Sequence, residues 1–600
     1  MVSRSVTPLR RAHVIAPFGP GALLLTRDRV SAVVCAPATW LKSLPKRPSG
    51  SVPVLDELTI NDTNLQAATG VARFVMPWPS GSNPKKDRDW LLPAARFPLV
   101  EACSNPKCFR LIYRSPADAS PGRCNACTPP SSKRRSWPTF QTALVLACPA
   151  GHLDDIDWVG WLHALPGSSC RAPDVRYRVS DVADRPYLNC ESCSRSAQFD
   201  PNTTFRCTGA RPWLPHSEPE TCTHCARPLE RTSTAAYYAW QLSSLTIPLA
   251  DADNPALLHA LTENATLRTL SRLTRRTEVI EKIVETAERL GIHTDAAEVT
   301  RHLKAIQSGR VSVPRHVQEL RTRELNALLS SDHPRRITAR LPDLIVEPQD
   351  IGKFQHSRLG RCLAAVSLVP RLRETRVCVG FCRVEPIAPD PEIGYAQLWG
   401  KPRPKDFAKD SPDDWLPGYQ VFGEGILLLL EPVAVARWAG RVAGDSRLAA
   451  AARAAPPGPE SQRLRWLLAH TLAHLVMRAA APHAGYPLPS LRERIFAVDE
   501  RTGFLVYTAS GDLHGTLGGL VELGTPGQLS DILEAAVDAA SWCATDPVCG
   551  EDAPGPRGSG SAPGACHHCL LVPETSCEAF NRGLDRAVLN GHDDIPGFLG

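Results

Sequence analysis

Apolar and polar positions along the chain change period several times, and each change marks a different kind of element. Alternating apolar residues over 30–34 predict a strand. Between about 101 and 230 the apolar runs are short and separated by turn residues, as in small hairpins. Over 264–324 the spacing becomes helical. Val279, Ile280 and Ile283 form an apolar stripe there, and Glu278–Lys282 and Glu285–Arg289 stand four apart as surface pairs. Strand-like runs return over 360–432, including Val377-Cys-Val-Gly-Phe381 and the run from Ile426 to Leu430. The alanine-rich stretch 433–455 predicts a helix that ends at Pro456-Pro457, and a longer helix is expected over 463–480. Another is expected over 531–542, with Ser530 as its N-cap and Ile532, Leu533, Ala536, Val537 and Ala540 on one face.

This alternation predicts an α+β, multidomain protein. It divides into a mixed α/β region (1–100), a cysteine-rich region of zinc-ribbon elements (101–230), a mainly helical region (231–345) and a mixed C-terminal domain (346–600) clasped by a zinc site. The 600 residues give room for several cores, and 55 prolines with 40 glycines predict many short connections. No apolar run approaches the roughly 18 residues of a membrane span. The first residues lack the continuous apolar segment of a secretory signal, being broken by Pro17, Gly19, Pro20 and Gly21. A cytoplasmic protein is therefore expected. Net charge is +6, from 68 basic and 62 acidic side chains, so any surface for nucleic acid has to be local.

The 20 cysteines change the picture most. Eleven lie between Cys103 and Cys225 and five between Cys543 and Cys577. In a reducing compartment, cysteines clustered at short spacings read as metal ligands. Two knuckles of paired thiolates can complete a tetrahedron around zinc. Cys103 and Cys108 with Cys124-Asn-Ala-Cys127 form the first predicted set. Cys190-Glu-Ser-Cys193 and Cys222-Thr-His-Cys225 form the second, with Cys207 or His224 as substitutes. A fourth, less regular set is conceivable from Cys148, His152, His163 and Cys170. At the C-terminus Cys549, Cys566, Cys569 and Cys577 are expected to bind, with Cys543 in reserve. Sites of four thiolates leave no position open for water, so they argue for architecture and not for a reaction.

Catalytic patterns fare poorly. Phe18-Gly-Pro-Gly-Ala22 has no lysine behind it, so it is not a P-loop, and reads as a tight turn before an anion-binding nest. His470 and His474 have the i,i+4 spacing of metal ligands, but Thr471 stands where a zinc protease needs glutamate. Core or interface histidines fit better, and the competing reading is a zinc hydrolase or nuclease using both with a carboxylate such as Asp499. His302-Leu-Lys304 lacks the downstream aspartate of a phospholipase-D-type motif. Ser510, Asp512 and His514 are too close in sequence for a converging triad. Arg268, Arg272, Arg275 and Arg276 share a helical face, which reads first as a solvated surface and second as a phosphate contact.

Several strings are more specific. Ser490-Leu-Arg-Glu-Arg494, Tyr507-Thr-Ala-Ser510, Gly515-Thr-Leu-Gly-Gly-Leu520, Asp546-Pro-Val-Cys549, Ala565-Cys-His-His-Cys-Leu570, Pro573-Glu-Thr-Ser-Cys577 and Leu584-Asp-Arg586 resemble a helicase-associated zinc-binding domain. Phe18-Gly-Pro-Gly-Ala22, Gly151-His-Leu-Asp-Asp155, Trp158-Val-Gly-Trp161 and Gly423-Glu-Gly425 are similar to the DrmB family of the DISARM antiphage systems. Residues 264–345 contribute little to the likeness, and 231–248 follow the family only loosely. The resemblance implies a subunit without ATPase or other enzymatic activity that binds zinc. It also implies partnership with a DrmA-type helicase, sequence-independent DNA contact and other defence-system subunits as further partners. Arg110, Arg123, Lys133, Arg134 and Arg135, near the first ribbon, are the residues expected to meet phosphate, against simple solubility as their role.

Overall fold

A computed structural model of the chain describes residues 9–42, 58–77, 92–127, 137–165, 170–179, 185–247, 257–307, 317–330, 343–387, 397–398, 415–508, 519–550 and 564–600, apart from a few positions inside these stretches. Helices and strands are mixed throughout, giving the α+β class. The chain forms two compact units, each assembled from three separate stretches. The first comprises Met1–Thr59, Val75–Leu242 and Val377–Gly418, and the second Ile60–Phe74, Ser243–Arg376 and Tyr419–Gly600. A linear division into 1–100, 101–230, 231–345 and 346–600 does not anticipate this interleaving. Among the described residues no helix is long and apolar enough to cross a membrane.

The first unit is built from small antiparallel sheets. One orders Leu23–Leu25, Ser31–Val34 and Ala94–Arg96. A second orders Leu111–Tyr113, Val100–Cys103 and Thr139–Gln141, and a third Val175–Val179, Pro186–Cys190 and Ser196–Gln198. A fourth runs Leu153–Asp154, Leu144–Ala147, Cys225–Glu230 and Phe205–Arg206. Strands this short bury little by themselves. Their core is a cluster in which Trp158 packs edge-on against Tyr177 (5.1 Å) and Phe199 (4.9 Å), with Cys148, Cys190 and Cys207 buried among the apolar side chains.

The second unit has longer elements. Strand Arg501–Thr508 pairs on one side with Gly425–Leu430 of strand Trp415–Leu430 and on the other with Leu491–Val498. The hairpin between Val498 and Arg501 turns through Asp499, whose φ of 51° lies in the left-handed region that aspartate tolerates. Helix Glu460–Ala484 covers this sheet and is buried nearly all round, from Leu464 to Met477. It stops at Gly485, which takes φ 70°.

Two helices differ from the sequence expectation. The alanine-rich stretch forms Pro432–Arg441 and Ser446–Ala451, because Gly444 turns with φ 82° and Asp445 caps the second piece through Leu448 N–H (2.8 Å). The helix expected from 531 begins earlier, at Pro526, where the fixed φ of proline suits the first position. Ser530 therefore lies inside it and caps nothing.

Candidate metal centres

A tetrahedral zinc with Zn–S of about 2.3 Å and Zn–N of about 2.0–2.1 Å sets sulfur–sulfur separations near 3.8 Å and sulfur–nitrogen separations near 3.6 Å. A disulfide would require about 2.05 Å, and all twenty cysteines are free. Four clusters of cysteine and histidine approach the metal geometry.

The first joins Cys103, Cys108, Cys124 and Cys127, the set expected from spacing. Cys103 ends strand Val100–Cys103, and its sulfur lies 3.6 Å from that of Cys127, which is 3.7 Å from Cys124. Asn105 donates to Cys103 from its backbone N–H and to Cys127 from Nδ2, both at 3.4 Å. Beneath the cluster the buried Glu101 carboxylate accepts from Arg96, Arg114 and Thr139, which ties its strand to its surroundings.

The second cluster is Cys148, His152, Cys207 and Cys222, and the third is His163, Cys170, Cys190 and Cys193. This regroups the expected ligands. Cys190 and Cys193 do not meet Cys222 and Cys225, and Cys148 and His152 do not meet His163 and Cys170. Strand pairing is the reason. The strand Leu144–Ala147 lies between Leu153–Asp154 and Cys225–Glu230, which carries the turn bearing Cys148 and His152 toward Cys207 and Cys222. The hairpin of Val175–Val179 with Pro186–Cys190 instead brings Cys190 to 3.9 Å from Cys170. Cys225 begins its strand opposite Arg206 and is exposed outside both clusters.

The histidines are oriented as ligands. His152 points Nδ1 at Cys148 (3.3 Å) and Cys207 (3.5 Å), while its Nε2 bonds the Glu220 carboxylate (2.5 Å), itself held by Arg211 (2.9 Å). His163 does the reverse: Nδ1 donates to Val159 O (2.8 Å) and Nε2 faces Cys193 (3.6 Å). An outer partner that fixes the tautomer is the usual support of a metal-bound imidazole. Sequence reasoning missed Glu220, because nothing in its spacing ties it to His152. Burial works against the Cys190 thiolate, but N–H donors from Cys193 and Asp174 together with His163 outweigh it and bring the thiol down to about 6.

The fourth cluster is Cys543, Cys549, Cys566 and Cys569. Cys543 takes the place expected of Cys577, because helix Pro526–Ser541 ends two residues before it and delivers it to Cys566 (3.4 Å). Cys549 lies 3.7 Å from Cys569, and Cys566 3.8 Å from Cys569. Burial raises the Cys566 thiol, yet the Thr545 hydroxyl and the His568 N–H bring it down to about 6. Cys577 lies instead beside His470, His474 and Glu493. Asp499, the carboxylate suggested as their partner, sits in its hairpin turn and pairs with Arg501 at 3.2 Å.

The remaining expected residues scatter. Arg110 is exposed and pairs with Asp174 at 2.9 Å. Arg123 is exposed, and its carbonyl accepts from Arg114 (2.8 Å). Lys133, Arg134, Arg135, Arg275 and Arg276 lie outside the described residues, as do Ser510, Asp512 and His514. Arg268 and Arg272 lie on helix Ala265–Arg272, with side chains outside the described set. The buried His302 gives Nδ1 to Glu298 O at 2.9 Å.

Two family-like strings prove to be packing devices. Arg383 is fully buried and donates to Gly21 O (2.7 Å), Gly151 O (2.8 Å) and Ala236 O, with its guanidinium 4.8 Å from the Phe381 ring centre. Gly21 takes φ 86° against that same ring, so Phe18-Gly-Pro-Gly-Ala22 is a turn whose carbonyl is capped. In Gly423-Glu-Gly425, a Cβ on Gly423 would stand 1.7 Å from Thr508 O. Between the glycines, buried Glu424 accepts from Tyr486 OH (2.9 Å) and Leu520 N–H (3.0 Å).

Comparison with known proteins agrees with this geometry. Residues 10–238 match a family described only as a domain of unknown function (DUF8724). Residues 472–570 match the MrfA Zn-binding domain, which spans the whole Cys543 cluster. The chain is 26% identical to the DISARM protein DrmB of Bacillus paralicheniformis over 522 residues, covering 83% of this chain and 89% of that protein.

Proposed function

We propose that this chain, a homologue of DISARM protein DrmB, serves as a zinc-braced, non-catalytic subunit of an antiphage defence complex, partnering a DrmA-type helicase and helping it engage foreign DNA. The observation that carries this reading is the likeness to DrmB along 83% of the chain. The donor chemistry supports it. Each of the four cysteine clusters offers four protein ligands, and zinc bound there supplies cross-linking and leaves no coordination position for substrate. Cys103, Cys108, Cys124 and Cys127 would brace the first hairpins, and Cys543, Cys549, Cys566 and Cys569 the C-terminal tail. A hydrolytic centre at His470 and His474 finds no support, because both rings are wholly buried. Rigid hairpins with exposed arginines such as Arg123 suit phosphate contact without base readout.

A second reading, an assembly scaffold that does not touch DNA, is favoured by Arg110, whose guanidinium is already paired with Asp174. Titrating DNA onto the purified chain, alone and with its helicase, across a salt series separates the two. The expected result is affinity that strengthens with the helicase and falls steeply as salt rises. A stable protein complex with no DNA affinity in either state would leave the scaffold.

A further inference from the structure

A fifth cluster stands apart from the four. His470 and His474 lie one turn apart on helix Glu460–Ala484, Glu493 on strand Leu491–Val498, and Cys577 just after the turn Glu574–Ser576. All four are buried. His470 Nε2 is 3.0 Å from Glu493 Oε1 and 3.2 Å from Cys577 Sγ, and His474 Nε2 is 3.2 Å from Glu493 Oε2.

Hydrogen bonding fixes what these atoms present. Nδ1 of His470 lies 2.8 Å from Gly583 O, and Nδ1 of His474 lies 2.9 Å from Leu570 O. A carbonyl only accepts, so both rings carry hydrogen on Nδ1, and in a neutral ring Nε2 offers a lone pair. The Cys577 sulfur accepts backbone N–H bonds from Ala579 (3.3 Å) and Asn581 (3.2 Å), which would support a metal-bound thiolate, whereas burial and the Glu493 charge push the free thiol well up. His474 Nε2 and Glu493 Oε2 face each other at 3.2 Å, yet among the described residues neither has a hydrogen-bond partner. Lone pairs of two imidazoles, a carboxylate and a sulfur thus converge in the buried interior, an arrangement that a cation among them would stabilise.

We infer that His470, His474, Glu493 and Cys577 bind a divalent transition-metal ion, of the zinc class, in a closed four-coordinate site. One dication balances one carboxylate and one thiolate. Nitrogen–oxygen separations of 3.0 and 3.2 Å suit the roughly 3.3 Å edge expected of ligands about 2.0 Å from an ion. The mixed nitrogen, oxygen and sulfur set fits a borderline cation better than calcium or magnesium. Gly583 O and Leu570 O are the outer partners that orient the rings. The site would pin the long helix to the sheet and to the C-terminal tail. It uses His470 and Cys577, which fall on either side of the 472–570 match, and shares no residue with the Cys543 cluster.

The test is an anomalous-scattering map of the intact wild-type chain, crystallised with zinc and measured at the zinc edge. The Cys543 cluster serves as internal control. A separate peak between His470 Nε2 and Cys577 Sγ is expected. In solution, His474→Asn should lose one metal equivalent per chain while retaining the one that Cys566→Ser loses. A featureless map at the cluster, with the control occupied, would overturn the inference and leave protonated imidazoles to neutralise Glu493. Should His474→Asn fail to fold, the wild-type map still decides.

Discussion

The two units solve the same problem with different resources. In the first, sheets of two- to six-residue strands surround Trp158, Tyr177 and Phe199, and the cysteines of two clusters are themselves part of that core. In the second, a 25-residue buried helix packs on long antiparallel strands in a continuous apolar interior, and the Cys543 cluster lies near the chain's end. The candidate metal sites thus form part of a small core in one unit, and in the other they join helix, sheet and tail of a core that longer elements already build. A fold that cannot bury enough apolar surface needs a covalent or metal substitute, and this need falls as elements lengthen.

Metal removal should break the comparison open. A structural zinc contributes on the order of 10 kcal/mol of folding free energy, more than a small domain's whole net stability. Chelation of the intact protein should therefore abolish amide protection across 100–230, while Gly425–Leu430 and helix Pro432–Arg441, which carry no ligand, remain protected. Hydrogen exchange resolved by peptide reads both at once. Equal loss in the two units would mean that the second also depends on metal. Within the first unit, Cys190→Ser should lose one zinc equivalent and Cys225→Ser none, since Cys225 lies outside every cluster.

Two buried arginines sharpen the contrast at smaller magnitude. Arg494 holds Glu324 (2.6 Å) and Glu374 (3.0 Å) with no solvent exposure. Replacing it by methionine removes the cation shared by two buried carboxylates, with Glu324 keeping Arg321 (2.9 Å) and Glu374 keeping Arg376 (2.8 Å), and should cost about 3 kcal/mol. Arg383 in the first unit has no carboxylate partner among the described residues, and burial pulls its pKa down to about 10. Arg383→Met leaves carbonyls unpaired but also removes an uncompensated buried charge, so the loss should be roughly 1–3 kcal/mol. Thermal melts of zinc-loaded variants give the ordering, and a larger loss for Arg383→Met would reverse the assignment of where charge pairing matters.

What the sequence discloses follows the same divide. Local patterns are legible: the long helix, the strand at Val377–Phe381, and the Cys103 set, whose ligands all sit in one hairpin neighbourhood. Ligands that meet through strand pairing are not. Cys190 and Cys193 share a knuckle in the sequence, but their partners His163 and Cys170 come from the opposite side of a hairpin, at irregular spacing. The same holds for Cys577, six residues before Gly583, whose carbonyl orients His470. Nothing in the spacing of Glu493 or Arg383 tells what it does. Glu493 stands between two arginines in strand Leu491–Val498 and Arg383 just past the end of strand Leu363–Cys382, and only burial reveals their roles.

The smallest expected effect concerns one carboxyl in the first unit. Asp155 accepts from the N–H groups of Leu99 (2.9 Å) and Val100 (3.4 Å), and burial nevertheless raises its pKa to about 6. In the unfolded chain the same group titrates near 3.9. Between these values the folded state holds more protons than the unfolded one. Stability from this residue is therefore greatest below about pH 4, falls as pH rises through 6, and is level above that. The total change is no more than about 3 kcal/mol. Asp155→Asn keeps an oxygen for both N–H donors and removes the titration. The first unit of the variant should thus gain stability relative to wild type as pH is raised from 5 to 7, with the second unit unchanged. Denaturant melts of the zinc-loaded protein, followed by exchange in each unit, measure this directly, and a difference that grows toward low pH would show that the Leu99 and Val100 bonds outweigh burial at this site.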